Sequence, residues 1–279
     1  MVSARYSHTQ AYLVGLKKKI GLEQQINTVE NLILGCSHGQ YSYVPRKGEY
    51  NLCLPSQDLY YSYALYKKYA KKLKNLKHIV LFYSVFSCGY ELIKTKEDYR
   101  CFHYEKLFGI KPNHRKYADL LREKYEHFQS YLSEKGKKLH ISQNYRGENP
   151  DTKGKNVWRI GKIEPQERAL NALKNNKRGS VQDKYVEKLI NLAQRHGVKV
   201  TIVLSPAHAE YKSVLPLKKK LFSHILEIVS KYPEVKMLDF YSYNNFTDEY
   251  WWDYDHLNPQ GAKIFTQLYH KAEKGYYHD

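Results

Sequence analysis

The chain has 279 residues and a formal net charge of +18, from 46 Lys and Arg against 28 Asp and Glu. That length allows one large domain or two small ones with a substantial core, and 42% hydrophobic residues exclude a disordered polybasic tail. Mean hydropathy is −0.71, no stretch approaches the roughly 20 apolar residues of a membrane span, and the N-terminal segment lacks the apolar core of about 7–15 residues that a signal peptide carries. A soluble, cytoplasmic chain is expected.

Of the basic residues 36 are Lys and 10 are Arg, and Tyr occurs 28 times. A basic balance favours acidic partners such as nucleic acid, anionic polysaccharide or phosphorylated cofactors. The shortage of Arg weakens that inference, because phosphate and base readout lean on Arg. A drift toward Lys in an AT-rich genome is the competing explanation. The four cysteines, Cys36, Cys53, Cys88 and Cys101, have no CxxC spacing and no grouped histidines, so no metal site is expected and reduced thiols are the default.

Taken in chain order, residues 1–30 predict a helix lying on the domain. Residues 31–36 (NLILGC) predict a buried strand ending in a Gly-containing turn, and 50–54 a second short strand. Ser56 can cap a helix running to about Leu73. His78–Tyr83 (HIVLFY) predicts a third strand, 181–196 a helix, and 198–204 a fourth strand stopped by Pro206. Residues 217–231 predict a helix, 235–240 a fifth strand, and 260–273 a last helix with Pro259 in its first turn. Alternating strands and helices imply a parallel sheet, hence a three-layer α/β/α sandwich.

Residues 94–180 break the rhythm. They hold 21 basic and 11 acidic residues, a net +10 within the +18. This segment predicts a helix over 117–132, then a Gly-, Asn- and Lys-rich stretch. The expectation is one domain over 1–279, with a mainly helical and irregular basic insertion at 94–180 serving as lid or substrate-docking surface.

Two segments carry candidate chemistry. Gly35-Cys36-Ser37-His38-Gly39 follows the first strand, and ligands of α/β sheets bind outside the carboxyl ends of strands. A Ser there presents a hydroxyl beside free backbone N–H groups, although Ser and Gly are also ordinary turn residues. Asp253-Tyr254-Asp255-His256-Leu257-Asn258-Pro259 precedes the last helix. A hydroxyl nucleophile needs a base, usually His, and the His needs a carboxylate. The competing reading makes Asp255 or Asn258 a helix cap and His256 a surface residue.

Together, a G-x-S turn after the first strand and D-x-x-H-L-N before the last helix resemble the SGNH (GDSL-type) hydrolase superfamily. Tyr50-Asn51-Leu52-Cys53-Leu54-Pro55-Ser56-Gln57 resembles its second block. The resemblance covers most of 31–92 and 181–270, in the expected order. It implies a sheet of the SGNH-hydrolase, flavodoxin-like kind, with Ser37 as nucleophile, His256 as base and Asp253 as its orienting acid. It also implies the backbone N–H groups of Ser37 and Ser56 as oxyanion donors. Three positions depart from the pattern: Cys36 replaces the Asp of the GDSL form, Ser56 replaces a Gly, and no Asn stands in Tyr83–Gly89, where the third block supplies one. Ser84 or Ser87 can substitute.

Other residues carry weaker expectations. His38 and His208 are possible substrate contacts. Gln57 can reach a substrate oxygen or cap its helix. Trp251 and Trp252 can stack on a sugar but more often pack in a core. The Lys runs at 17–19 and 218–220 read as solvated helix faces.

The resemblance implies serine-based acyl transfer through an acyl-Ser37 intermediate. The wording of the motifs is similar to SGNH-type proteins of bacterial cell-envelope polysaccharide synthesis and, more distantly, to the D-alanyl transfer proteins of teichoic acid synthesis. The expected function is an O-acetyltransferase acting on a capsular or other surface polysaccharide. Its expected donor is acetyl-CoA, with no permanently bound cofactor, and its acceptor a carbohydrate or anionic polysaccharide. The alternatives are a carbohydrate O-acetyl esterase and an inactive polyanion-binding protein. No helix-turn-helix, zinc-finger or RRM-type motif points to sequence-specific nucleic acid.

Overall fold

The computed structural model describes residues 2–148, 164–177 and 181–275. In chain order the elements are α1 (Val2–Gln24), β1 (Asn31–Leu34), α2 (Ser37–Ser42), β2 (Glu49–Asn51), α3 (Leu59–Tyr69), β3 (His78–Tyr83), α4 (Tyr99–Phe108), α5 (Arg115–Tyr125), α6 (Gln129–Lys137) and α7 (Pro165–Asn176). They continue with α8 (Lys184–Arg195), β4 (Lys199–Leu204), α9 (Ala209–Ser213), α10 (Lys218–Leu221), α11 (Ser223–Ser230), β5 (Lys236–Asp239), β6 (Trp251–Asp253), β7 (His256–Leu257) and α12 (Pro259–Glu273).

Strands β1 to β5 form one parallel sheet in the order β2-β1-β3-β4-β5. Because strand side chains alternate, the sheet feeds two cores. Leu32, Leu34, Ile79, Leu81, Val200 and Ile202 face the layer containing α3 and α8. Ile33, Val80, Phe82, Val203 and Leu238 face α12, whose Phe265 and Tyr269 are buried with them. The architecture is the expected α/β/α sandwich. Chain order reverses between β1 and β3, and the crevice outside the carboxyl ends of such a strand pair is where this architecture places ligands.

Several local expectations need correction. The helix after Ser56 starts at Leu59, because Asp58 is its cap: Asp58 Oδ1 accepts the Tyr61 N–H at 2.9 Å. That helix ends at Tyr69. The predicted helix over 217–231 is broken into α10 and α11 at Phe222, whose ring enters the core against Tyr241 at 5.0 Å between centroids. The helix predicted over 117–132 is α5 and α6 with a short 3-10 turn between them.

The described part of the 94–180 segment is mainly helical and packed, with an irregular stretch over 138–148. Helices α4 and α6 lie against α1, α5 lies against α4, and α7 packs on α9. The most Gly- and Lys-rich part of that expectation, 149–163 and 178–180, lies outside the described residues. Among the described residues, no helix is long and apolar enough to cross a membrane.

Candidate active site

Ser37 is the first residue of α2, immediately after the β1 turn. The turn is tight against β3: a Cβ on Gly35, whose φ is +139°, would meet the Phe82 Cβ at 2.8 Å. Gly39 is equally confined, since a Cβ there would lie 2.6 Å from the Cys53 Sγ. These two glycines seat α2 on the sheet and fix the Ser37 hydroxyl at the carboxyl end of β1. The first N–H groups of a helix have no partner inside it, so the Ser37 N–H is unclaimed by α2 itself.

The opposite wall is the β6–β7 hairpin. Asp253 Oδ1 accepts the backbone N–H groups of Asp255 and His256 at 3.1 and 2.9 Å, closing the turn on its own side chain. The same carboxylate reaches the ring of His256, with Oδ1 and Oδ2 at 2.9 and 3.0 Å from Nδ1. His256 Nε2 lies 2.8 Å from Ser37 Oγ. Asp253, His256 and Ser37 therefore form one continuous hydrogen-bonded chain. Three carboxylate oxygens within 3.2 Å of Nδ1 favour the tautomer with its proton there, leaving Nε2 as the acceptor for the Ser37 hydroxyl.

Of Asp255 and Asn258, the two residues the competing reading offered as a helix cap, only Asn258 is one, and Asp255 has another role. Asn258 caps α12, accepting the N–H groups of Gln260 and Gly261 at 3.0 Å each. Asp255 is buried and ion-paired with three cations or potential cations. Its Oδ2 lies 3.2 Å from His38 Nε2, and its Oδ1 lies 3.2 Å from His256 Nδ1 and closer still to the Arg168 guanidinium. Burial alone would favour its neutral form. His256, Arg168 and His38 outweigh that and hold its pKa well below the usual carboxylate range.

Arg168 comes from α7, within the insertion, and no local sequence signal marked it. Its NH2 group also stands 3.4 Å from Asp253 Oδ2 and 3.1 Å from His256 Nδ1. Burial opposes its charge, but Asp255 and Asp253 raise its pKa above the usual value.

A second relay runs behind the first. Cys36 Sγ lies 3.1 Å from His38 Nδ1, and the His38 ring stacks on His256 with centroids 4.8 Å apart. Burial raises the Cys36 pKa, but the adjacent His38 charge and hydrogen bond bring the net shift downward. Burial likewise lowers that of His38, and Cys36 and Asp255 reverse the effect, pushing it up to about 10. The two shifts favour the thiolate form of Cys36 and the imidazolium form of His38.

Ser56 has φ +58°, the left-handed conformation that glycine adopts without cost. It lines the cleft with Ser37, and its hydroxyl donates to Glu97. Its backbone holds a conformation that favours glycine while carrying a side chain. The cleft has a volume of about 200 Å³. Phe86, Tyr90 and Tyr211 form apolar walls, and Asn171 and Asn175 of α7 add amide groups.

The remaining expected contacts fall elsewhere. Ser84 Oγ pairs with Ser205 Oγ at 3.1 Å, and Ser87 Oγ accepts the Ser84 N–H at 2.9 Å. Both hydroxyls serve the turn after β3, and neither residue lines the cleft. The Gln57 amide is held between Tyr104 and Ser62, at 3.0 Å to each. His208 caps α9 through Nδ1 and meets Asp248 at 3.0 Å through Nε2, buried away from the cleft. Trp251 is a core residue donating to the Phe246 carbonyl, and Trp252 packs edge-on to Tyr41. The amide side chains near Ser37 come from the insertion, not from the third block.

His38, Asp255 and His256 offer donor atoms within 4.8 Å of one another, a spacing that could hold a small cation. The Arg168 guanidinium already supplies the positive charge at that point. A scan of the chain against protein-family models finds no match, and a search of curated proteins finds none either.

Proposed function

We propose that the chain is a serine-dependent acyltransferase of the SGNH type. The observation that carries this reading is the aligned chain Ser37–His256–Asp253, with 2.8 Å and 2.9 Å links at the carboxyl end of β1. Nε2 of His256 accepts the Ser37 proton as Oγ attacks the carbonyl carbon of an acyl donor. The oxyanion forms beside the backbone N–H groups of Ser37 and Ser56. Collapse expels the leaving group, which takes the proton back from His256, and leaves an acyl ester on Ser37. An acceptor hydroxyl, deprotonated by His256, then attacks that ester and regenerates Ser37 Oγ–H.

The acceptor proposed is a carbohydrate hydroxyl of a bacterial surface polysaccharide, and the donor acetyl-CoA, met in the cytoplasm. The resemblance of the motifs supports this assignment, and the aromatic walls and neutral amides of the cleft suit a sugar. With water as acceptor the same steps make an esterase. An inactive polyanion-binding protein would have no use for a hydrogen-bonded serine, histidine and carboxylate in an open cleft.

Labelling with a fluorophosphonate probe tests the serine chemistry. Wild type is expected to label at Ser37, and Ser37→Ala to lose the label. Acetyl-CoA turnover that rises when an acceptor polysaccharide is added supports transfer. Hydrolysis of acetyl esters with no gain from any acceptor assigns an esterase, and an unlabelled, folded wild type defeats the reading.

A further inference from the structure

Two carboxylates converge on one ring nitrogen. His256 Nδ1 has Asp253 Oδ1 at 2.9 Å and Asp255 Oδ1 at 3.2 Å. Two anions beside one ring nitrogen favour the cationic form of an imidazole unless a neighbouring cation offsets them. Arg168 stands among all three groups, against Asp255 Oδ1, 3.4 Å from Asp253 Oδ2 and 3.1 Å from Nδ1. Its side chain is 23% exposed and that of Asp255 is 7% exposed, so water screens this cluster little.

We propose that Asp255 and Arg168 are positioning residues for His256, Asp255 as a second carboxylate beside Nδ1 and Arg168 as the cation that holds and offsets the two carboxylates. Resting on the serine chemistry proposed above, this makes the insertion part of the catalytic machinery: α7 delivers the charge that balances the carboxylates around a base on the sheet. The groups facing His256 among the described residues are Ser37, His38 and Tyr41 from α2, with Cys36 behind His38; Asp253 and Asp255 from the hairpin; and Arg168 from α7. Tyr211 of α9 lines the same cleft. Arg168 and His38 stand against Asp253 and Asp255, and the His38 ring lies between Cys36 and His256.

The test has two readouts on the full chain: the pH dependence of Ser37 labelling by the fluorophosphonate, and the NMR titration of the His256 ring, assigned with His256→Ala. Arg168→Gln is expected to move the acid limb upward by about one pH unit or more, with labelling recovering at higher pH. Arg168→Lys keeps the cation and is expected to stay near wild type. Asp255→Asn is expected to move the midpoint downward. The double variant Arg168→Gln/Asp255→Asn removes one charge of each sign and is expected to return it toward wild type. Slower labelling at every pH with an unmoved midpoint in Arg168→Gln overturns the proposal. If Arg168→Gln fails to fold, an unmoved midpoint in Asp255→Asn overturns it instead. A wild type that does not label defeats the serine chemistry, while the ring titration still reads the charge balance separately.

Discussion

Cys36 Sγ lies 3.1 Å from His38 Nδ1, both almost fully buried beneath the residue proposed as nucleophile. The net shifts favour a thiolate on the sulfur and an imidazolium on the ring. Above about pH 6.5 the unfolded His38 has lost its proton while the folded one keeps it to about pH 10, so its contribution to stability falls as pH rises through that interval. The lowered Cys36 pKa acts in the opposite sense below pH 9 and reduces the fall there.

Above 9 the unfolded Cys has also lost its proton while folded His38, with a pKa of about 10, keeps its own, so stability falls more steeply as pH rises. The measurement is the difference in unfolding free energy between wild type and Cys36→Ala/His38→Gln from pH 5 to 10, using urea. The wild-type advantage is expected to fall between pH 6.5 and 10, most steeply above 9. An advantage that does not fall above pH 9 would mean that the buried His38 holds its proton no more tightly than a free imidazole.

Asp253→Asn tests how the two carboxylates divide their work. Where one carboxylate alone orients the base, its amide costs about 10⁴-fold in rate, because the wrong tautomer is favoured. Here Asp255 Oδ1 stands 3.2 Å from the same Nδ1 outside hydrogen-bond geometry, so a small rotation of the ring brings it into position to receive the proton. The carbonyl oxygen of the introduced amide can still accept the two backbone N–H groups that close the turn. The loss in Ser37 labelling is therefore expected to be on the order of 10²-fold, and that of Asp253→Asn/Asp255→Asn clearly larger. Equal losses in the single and double variants would count against a shared role.

How much of this was legible in the sequence follows from how local each signal is. His78–Tyr83 was read residue for residue because six consecutive buried positions leave no helical face. The Asp253–His256 spacing was legible because Asp253 folds its own turn. Helix α7 carried a readable start, Pro165 in its first turn, and buried positions at Ala169 and Ala172, yet its three Asn residues and small apolar face hid it. The break at Phe222 is tertiary: the ring's place against Tyr241 overrides a continuous helical pattern. Arg168 was illegible for the same reason, since its partners lie more than eighty residues away and only the packing of α7 on α9 brings them together.

Ser56 offers a test of backbone strain at the proposed oxyanion turn. A side chain at φ +58° costs about 1–2 kcal/mol relative to glycine. Ser56→Gly removes that cost and also the hydrogen bond to Glu97, worth about 1 kcal/mol. The two nearly cancel, so the unfolding midpoint is expected to move little, and Ser37 labelling to persist because the N–H remains. Ser56→Val keeps the strain, adds a β-branch and loses the bond, and is expected to destabilise by about 2 kcal/mol. A Ser56→Gly variant that folds but does not label would show that the side chain, not the backbone, is what the site requires.

Lys18 of α1 holds the far side of the same turn. Its ammonium has no exposed surface and donates to the carbonyl oxygens of Cys53 and Asn51 at 2.6 and 3.1 Å, just before Ser56. Burial brings its pKa down from 10.5 to about 8, with the Cys53 contact opposing the change only in part. Between pH 8 and 10.5 the unfolded chain binds this proton and the folded chain releases it, so the Lys18 contribution to stability rises with pH across that interval. The gap is worth about 3 kcal/mol. In Lys18→Met the cation is gone and the interval loses its slope, while other titrating groups are shared and cancel in the difference. Urea unfolding at pH 7.5 and pH 10 is expected to show wild type gaining on Lys18→Met by most of that amount. A difference that stays constant between the two would mean that the buried ammonium keeps its ordinary affinity for the proton and that the two carbonyls fully replace water.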